Sequence, residues 1–235
     1  MRYPEDAATA DDPAMPQLHG SGSLSDQIAD ILRTEIIERR LQPSARLNPD
    51  VLSRHFGVSR IPVREALRSL DAEGWVRIEP RKGARVRPHD ETEFHALFET
   101  RAFIEGQVAR FAARRRTEEH LAKLQELLAL GWAAVRLDDK ESLGRLNSEF
   151  HNFVAECAAN PVLADISEHL GQTVRWYYSA VRDERATQSM LEHNQIMAAI
   201  AEQDEEAAAS CVQRHVEATK EAVERAIAAK KPPQA

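Results

Sequence analysis

Gly57-Val58-Ser59 constrains this chain more than any other stretch, because it separates two short segments of helical periodicity. The first opens at Asn48-Pro49 and runs through Leu52 and Phe56. Asn48 suits an N-cap and Pro49 the first helical turn. The second starts after Ser59, which is placed to cap it, and carries Val63, Ala66, Leu67 and Leu70 on one face until Gly74. Helices this short are unstable alone and must bury their apolar faces against a third element. Leu24, Ile28, Ile31, Leu32, Ile36 and Ile37 supply it, as a helix from Leu24 to near Arg40 that Pro43 breaks. Two β-like runs follow, Trp75–Glu79 and Ala84–Pro88, joined by the turn Pro80-Arg81-Lys82-Gly83. The order predicts a winged helix-turn-helix over residues 24–88.

Charge is distributed to match. The chain as a whole carries -7, which by itself argues against a nucleic-acid partner. From Leu24 to Pro88, however, there are 13 Lys and Arg against 9 Asp and Glu, a net of +4. Residues 1–23 carry -3 and everything from His89 onward -8. A basic segment ahead of an acidic one suggests a nucleic-acid-binding part joined to a part with another task. Arg60 and Arg64 stand four apart on one face of the helix after the turn, with Arg68 a turn further on. Arg can bond guanine O6 and N7 as a pair. Arg81 and Lys82 at the wing tip are placed for phosphate or the minor groove. Solvated arginines would explain any one of these residues, but not the turn, capping serine and wing in this order.

Beyond Pro88 the pattern is helical throughout. Aromatics are 6% of the chain, Gly and Pro are few, and Ala, Leu, Glu and Arg recur, which favours helix over a β-sandwich. Six helices are expected, over 91–115, 117–137, 139–158, 160–182, 186–203 and 204–230. The expected architecture is mainly α: a winged helix-turn-helix (24–88) joined to an all-α antiparallel bundle (89–235), after a disordered tail (1–23). No run approaches the length of a membrane span. The N-terminal stretch carries acids and no apolar core, unlike a secretory signal. Two cysteines, Cys157 and Cys211, are too few for a disulfide scaffold. The expectation is a cytoplasmic protein with reduced thiols and no membrane partner.

Two constellations stand out in the helical part. Phe94, Leu97, Phe98, Val108 and Ala112 form an apolar arc with Arg101 in its middle and Glu105 one turn on. A guanidinium among core residues needs an anion. Glu105 could be that anion, or a bound carboxylate could take the guanidinium in a fork. The second constellation is Asn147 with His151, four apart at the edge of a core stripe, plus His193 and His215 on the inner faces of two further helices. Any one inward histidine is usually a satisfied core residue. Three of them on three helices, with an amide oxygen, are also the ingredients of a divalent transition-metal site. Zinc suits such a set, with nickel or manganese as alternatives. His55, His89, His95, His120 and His169 lack such company and read as surface or structural. Trp176, Tyr177 and Tyr178 are candidate pocket walls, though one helix cannot turn all three the same way.

The stretch Leu47–Val86, centred on Gly57-Val58-Ser59-Arg60-Ile61-Pro62-Val63-Arg64-Glu65-Ala66-Leu67, resembles the GntR family of bacterial transcription regulators. Glu73-Gly74-Trp75-Val76 and Gly83-Ala84-Arg85-Val86 are similar to that family's wing. The resemblance implies that Arg60 and Arg64 contact bases while Ser59 and the wing contact backbone. Asn147-x-x-Phe150-His151, Glu192-His193 and His215 resemble the FCD domain of the FadR subfamily, as do Arg101-x-x-Ile104-Glu105 and Asn160-Pro161-Val162-Leu163. This second resemblance implies a metal held by Asn147, His151, His193 and His215, with the carboxylate of an effector meeting both metal and Arg101. Asn147 stands where some members have Asp, and its amide oxygen is an uncharged, weaker donor.

Two function classes meet these residues. One is a regulator, most commonly a repressor, that dimerises, binds an inverted repeat in double-stranded operator DNA and responds to a small carboxylate effector. The other is a metalloenzyme, since three histidines with an open position also form catalytic zinc sites. Glu149 and Glu192 flank the histidines, but no H-E-x-x-H or nucleophile motif accompanies them, and a DNA-reading head has no use in a hydrolase. The expectation is a regulator and not an enzyme.

Overall fold

A computed structural model describes residues 15–18, 22–80, 82–88, 91–179 and 181–230, and the chain forms two compact units, residues 1–90 and 91–235. Arg81 and His89, and most of the expected tail, lie outside the described residues. Within the tail, Met15 is buried and the Gln17 amide lies 3.4 Å from the His55 ring.

The first unit begins with α1 (Leu24–Ile37), capped by Ser23, whose hydroxyl accepts from Asp26 N. The helix stops before Pro43 is reached. Arg39 turns into the left-handed region (φ 59°), and the Leu41 N–H donates to Glu35 O. The buried Glu35 carboxylate accepts two N–H groups of Arg40 at 2.8 and 2.9 Å, which holds that turn. A two-residue strand β1 (Arg46–Leu47) follows, then α2 (Pro49–Phe56) and α3 (Arg60–Ala72). Asn48 caps α2 by accepting from Asp50 N, and Gly57 ends it at φ 66°, a conformation glycine adopts without strain. β2 (Val76–Glu79) and β3 (Gly83–Val86) form the wing. β1 adds to β3, giving an antiparallel sheet in the order β1-β3-β2 with Val76 opposite Val86. β1 is too short to show alternation, so its sequence carries no strand signal. Ile28, Leu32, Ile36, Leu52, Val63, Leu67 and Leu70 are buried as the core, and Trp75, just before β2, is buried as well.

The second unit is helical among the described residues: α4 (Glu91–Arg115), α5 (Glu118–Leu137), α6 (Lys140–Cys157), α7 (Pro161–Tyr178), α8 (Arg182–Ala201) and α9 (Glu205–Lys230). Thr117, Asp139 and Asn160 cap α5, α6 and α7. α7 ends at Tyr178 and α8 starts at Arg182, both earlier than the periodicity predicts. Asp183 and Glu184 look like loop residues in the sequence but lie in the first turn of α8, where acids offset the helix dipole. The inner stripe of α8 then starts at Arg185, a buried charge that an apolar pattern does not register. α4 packs against α9, α6 and α7, α5 packs against α6 and α8, and α8 packs against α9. This brings α4, α6, α8 and α9 around one interior.

Candidate metal centre and nucleic-acid interface

Helix α6 exposes one face to the interior because Leu143, Leu146, Phe150 and Val154 recur at helical spacing and are buried. His151 rides at the edge of that stripe. On α8, His193 lies between buried Met190 and Ile196 and is 1% exposed. His215 of α9, flanked along the helix by Val212 and Thr219, is 2% exposed. The ring centroids of these three histidines stand 4.8 to 5.1 Å apart, and one ligand nitrogen from each falls within 4.8 Å of the others. His193 also stacks on Phe150 at 4.3 Å, which fixes its plane.

Buried polar atoms of these residues and of Asn147, which lines the adjoining cavity with His151, are short of partners. His151 Nε2, His193 Nε2 and Asn147 Oδ1 are buried, and none has a hydrogen-bond partner among the described residues. Leaving such atoms unmatched costs free energy, so the set fits a shared cation. Burial pushes His193 well below the ordinary imidazole range, and His215 and His151 add to the effect. Burial does the same to His215, aided by His151 and Arg101. Both rings are therefore neutral near pH 7, the form a metal requires.

Two carboxylates stand beside these histidines. Glu192 Oε2 accepts from His215 Nδ1 at 2.7 Å and from buried Arg185 at 2.6 Å. Glu105 Oε2 lies 3.3 Å from His151 Nδ1, and Glu105 Oε1 accepts from Arg101 Nε at 2.6 Å. Burial alone would raise the Glu105 carboxyl, but Arg101 and His151 outweigh it and hold it well below the usual carboxylate range. Of the two anions that the sequence left open for Arg101, Glu105 is the one the structure places beside it. Glu105 takes Nε, while Nη1 stays buried and unpaired. A cavity of about 200 Å³ opens beside this group, bounded by Arg101, Glu105, Asn147 and His151. Trp176, Tyr177 and Tyr178 do not line it, although all three are buried. α7 is covered on more than one side: Tyr177 packs on Phe94 and Phe98, and the Tyr178 hydroxyl donates to Ser189.

In the first unit, Arg60, Arg64 and Arg68 are all exposed on α3. Arg60 Nε lies 2.7 Å from Asp50 of α2, and Lys82 at the wing tip lies 3.0 Å from Glu79. Ser59 occupies the N-cap position of α3 with extended backbone, yet its side chain makes no capping hydrogen bond, contrary to the sequence expectation. Cap spacing in a sequence fixes the backbone position but not the rotamer of an exposed hydroxyl.

Two family profiles match the chain. Residues 24–86 match the bacterial regulatory proteins of the gntR family, and residues 96–218 match the FCD domain. The chain belongs to the GntR family, in the FCD-bearing FadR subfamily. It is a transcription regulator and not an enzyme. The HTH-type transcriptional repressor RspR of Escherichia coli is 28% identical over 209 residues, covering 88% of this chain and 92% of RspR. The HTH-type transcriptional regulator YdhC of Bacillus subtilis is 27% identical over 188 residues, covering 78% of this chain and 84% of YdhC. Among solved structures, Escherichia coli McbR/YncC superposes with a TM-score of 0.76 at 22% identity, covering 87% of this chain and 99% of that one, which shows the shared fold.

In this GntR chain the structure also brings to the site residues that sequence reasoning did not single out. Arg185 repeats the Arg101 pattern, a guanidinium in an inner helical stripe with a carboxylate further along, and the same wheel argument applied to α8 finds it. Ser167 and Arg175 of α7 line the cavity; their spacing puts them on one helix face, but polar residues there read as a solvated face in the sequence.

Proposed function

We propose that this chain is a ligand-responsive repressor whose operator binding is modulated by a small organic acid bound beside a divalent metal. The observation that carries the proposal is the cluster of His151, His193 and His215, with one ligand nitrogen from each within 4.8 Å of the others and with His151 Nε2 and His193 Nε2 buried and unpartnered, while Asn147, whose Oδ1 is also unpartnered, lines the cavity alongside. His151, His193 and His215 would hold the metal, with Asn147 as a weaker fourth donor. Zinc suits this set, with nickel or manganese as alternatives. Bound there, the metal would supply positive charge to an acid. Arg101 would take the same acid through Nη1 while Glu105 fixes the guanidinium's orientation.

In the head, Arg60 and Arg64 would read bases, Arg68 would follow along the groove, and Ser59, Arg81 and Lys82 would hold the phosphate backbone. One such head buries little surface, so a homodimer on an inverted repeat of double-stranded operator DNA is the arrangement that gives tight recognition. The repressor sense is supported by the name of RspR. A protein acting on operator DNA would work in the cytoplasm. No described helix is long and apolar enough to cross a membrane.

The test is elemental analysis and thermal melting of the purified full chain, followed by operator binding with and without organic acids. Stoichiometric metal, lost in His193→Ala, and an operator response to acid, lost in Arg101→Ala with metal retained, are expected. Absence of metal together with an unchanged melting curve on adding zinc, nickel or manganese overturns the metal half. A monomer on DNA in sedimentation overturns the dimer.

A further inference from the structure

We propose that the cavity beside the histidine cluster takes a compact dicarboxylate, with one carboxylate at the Arg101 end and the second held by Arg175 and Ser167 of α7. The inference rests on the reading above that an acid is the effector, and goes beyond it to the class of acid.

Helix α7 turns one face toward the cavity. Ser167, Gly171 and Arg175 recur at intervals of four along that face, with Glu168 and Gln172 beside them, and all five line the space. Ser167 is 9% exposed, and its hydroxyl has no hydrogen-bond partner among the described residues. It is a donor presented to a cavity, the complement of the unpaired Arg101 Nη1. The cavity thus carries a guanidinium from α4 and another from α7, on two different helices.

Both guanidiniums stand among the cavity's lining residues, together with Glu105 and Glu168. Size narrows the class. The roughly 200 Å³ is room for about six or seven waters at ~30 Å³ each, a fit for an acid of four or five carbons rather than a long acyl chain. A Cβ built on Gly171 meets no atom within 4 Å, so the bare backbone there leaves the second carboxylate space.

The test is calorimetric titration of the zinc-loaded full chain with succinate, glutarate, butyrate and hexanoate. Succinate or glutarate should bind at least tenfold more tightly than butyrate. Arg175→Gln should remove that advantage with butyrate affinity and zinc content unchanged, and Arg175→Lys should keep part of it. Ser167→Ala, which asks nothing of the packing, should cost dicarboxylates alone about threefold to tenfold. Gly171→Leu, a helix-favouring change, should weaken every acid. Equal binding of butyrate and succinate, tightest binding of hexanoate, or equal loss for both acid types in Arg175→Gln and Ser167→Ala overturns the proposal. If chelator-treated protein keeps an Arg175-dependent preference for dicarboxylates, the metal reading falls and this one stands. If zinc is held and acids bind without preference, this one falls and that one stands.

Discussion

Glu192 accepts the Nδ1 proton of His215 at 2.7 Å and is itself held by Arg185 at 2.6 Å. The pairing sets the imidazole's tautomer: with the proton on Nδ1, the Nε2 lone pair is left for a cation. All three groups are at least largely buried, so the chain Arg185–Glu192–His215 fixes the ring without solvent competition.

Replacing Glu192 by Gln should therefore lower metal affinity by roughly 10- to 100-fold, the usual effect of removing a group that orients a metal ligand. Competition against a chelator of known affinity measures it. The amide is isosteric but leaves buried Arg185 without its anion, so melting of the metal-free variant is measured alongside and affinity is compared under conditions where it is folded. Unchanged metal affinity would show that Glu192 serves only to neutralise Arg185.

Acid should destabilise the metal-free protein through the same histidines. His193 and His215 are pushed well below their ordinary 6.5, first by burial. Above about pH 6.5 both folded and unfolded chains keep these rings neutral, and their contribution to stability is fully present. Below it the unfolded chain takes up protons that the folded chain refuses, so stability falls as pH falls. Melting temperatures of chelator-treated protein should be level from pH 8 to 7 and decline below 6.5. The His193→Gln, His215→Gln double variant should decline less steeply, and equal slopes would contradict the assignment.

Metal loading should raise stability. At a hundredfold excess over its dissociation constant, a ligand adds about 2.7 kcal/mol to the native state. For a chain this size that corresponds to a melting shift of roughly 5–10 °C. Chelation should reverse the shift in the wild type and leave His151→Ala unmoved, as read by differential scanning fluorimetry.

Much of this arrangement was legible in the chain's pattern, and what escaped did so for physical reasons. The α2–turn–α3 unit is written in local signals, since Asn48, Pro49, Gly57 and the apolar spacing of Val63, Leu67 and Leu70 each act within a few residues. His193 and His215 betrayed themselves by standing in apolar stripes. Arg185 stood in one too, but its apolar neighbours begin only at Met190, so the helix start was misplaced and the charge fell in an expected loop. Ser167 and Arg175 share a helix face by their spacing, but that this face meets a cavity follows from how α7 packs on α4 and α6, a tertiary fact the sequence does not carry. β1 exists only because β3 is there to pair with it.

The head offers a sharper test than the loss of any one arginine, because two kinds of contact should separate. Arg64→Ala should cost roughly 1–3 kcal/mol on the preferred operator and relax base choice, whereas Lys82→Ala should weaken all sequences alike and reduce the salt slope by about one. Ile61 adds a third kind. It is 69% exposed in the first turn of α3, beside Arg60 and one turn from Arg64. An apolar side chain held in water on a reading helix has one apolar group to meet in the major groove, the thymine C5-methyl. Covering that contact is worth about 1 kcal/mol, a few methylenes' worth of partial burial. Operators selected from a random pool should thus carry a thymine next to the base read by Arg60. Replacing it by deoxyuridine, which differs by that methyl alone, should weaken wild-type binding about fivefold in fluorescence anisotropy. Ile61→Ala should lose a similar amount on the thymine operator and nothing further on the deoxyuridine one. If the two losses simply add, Ile61 does not touch the methyl, and its exposure serves something other than base reading.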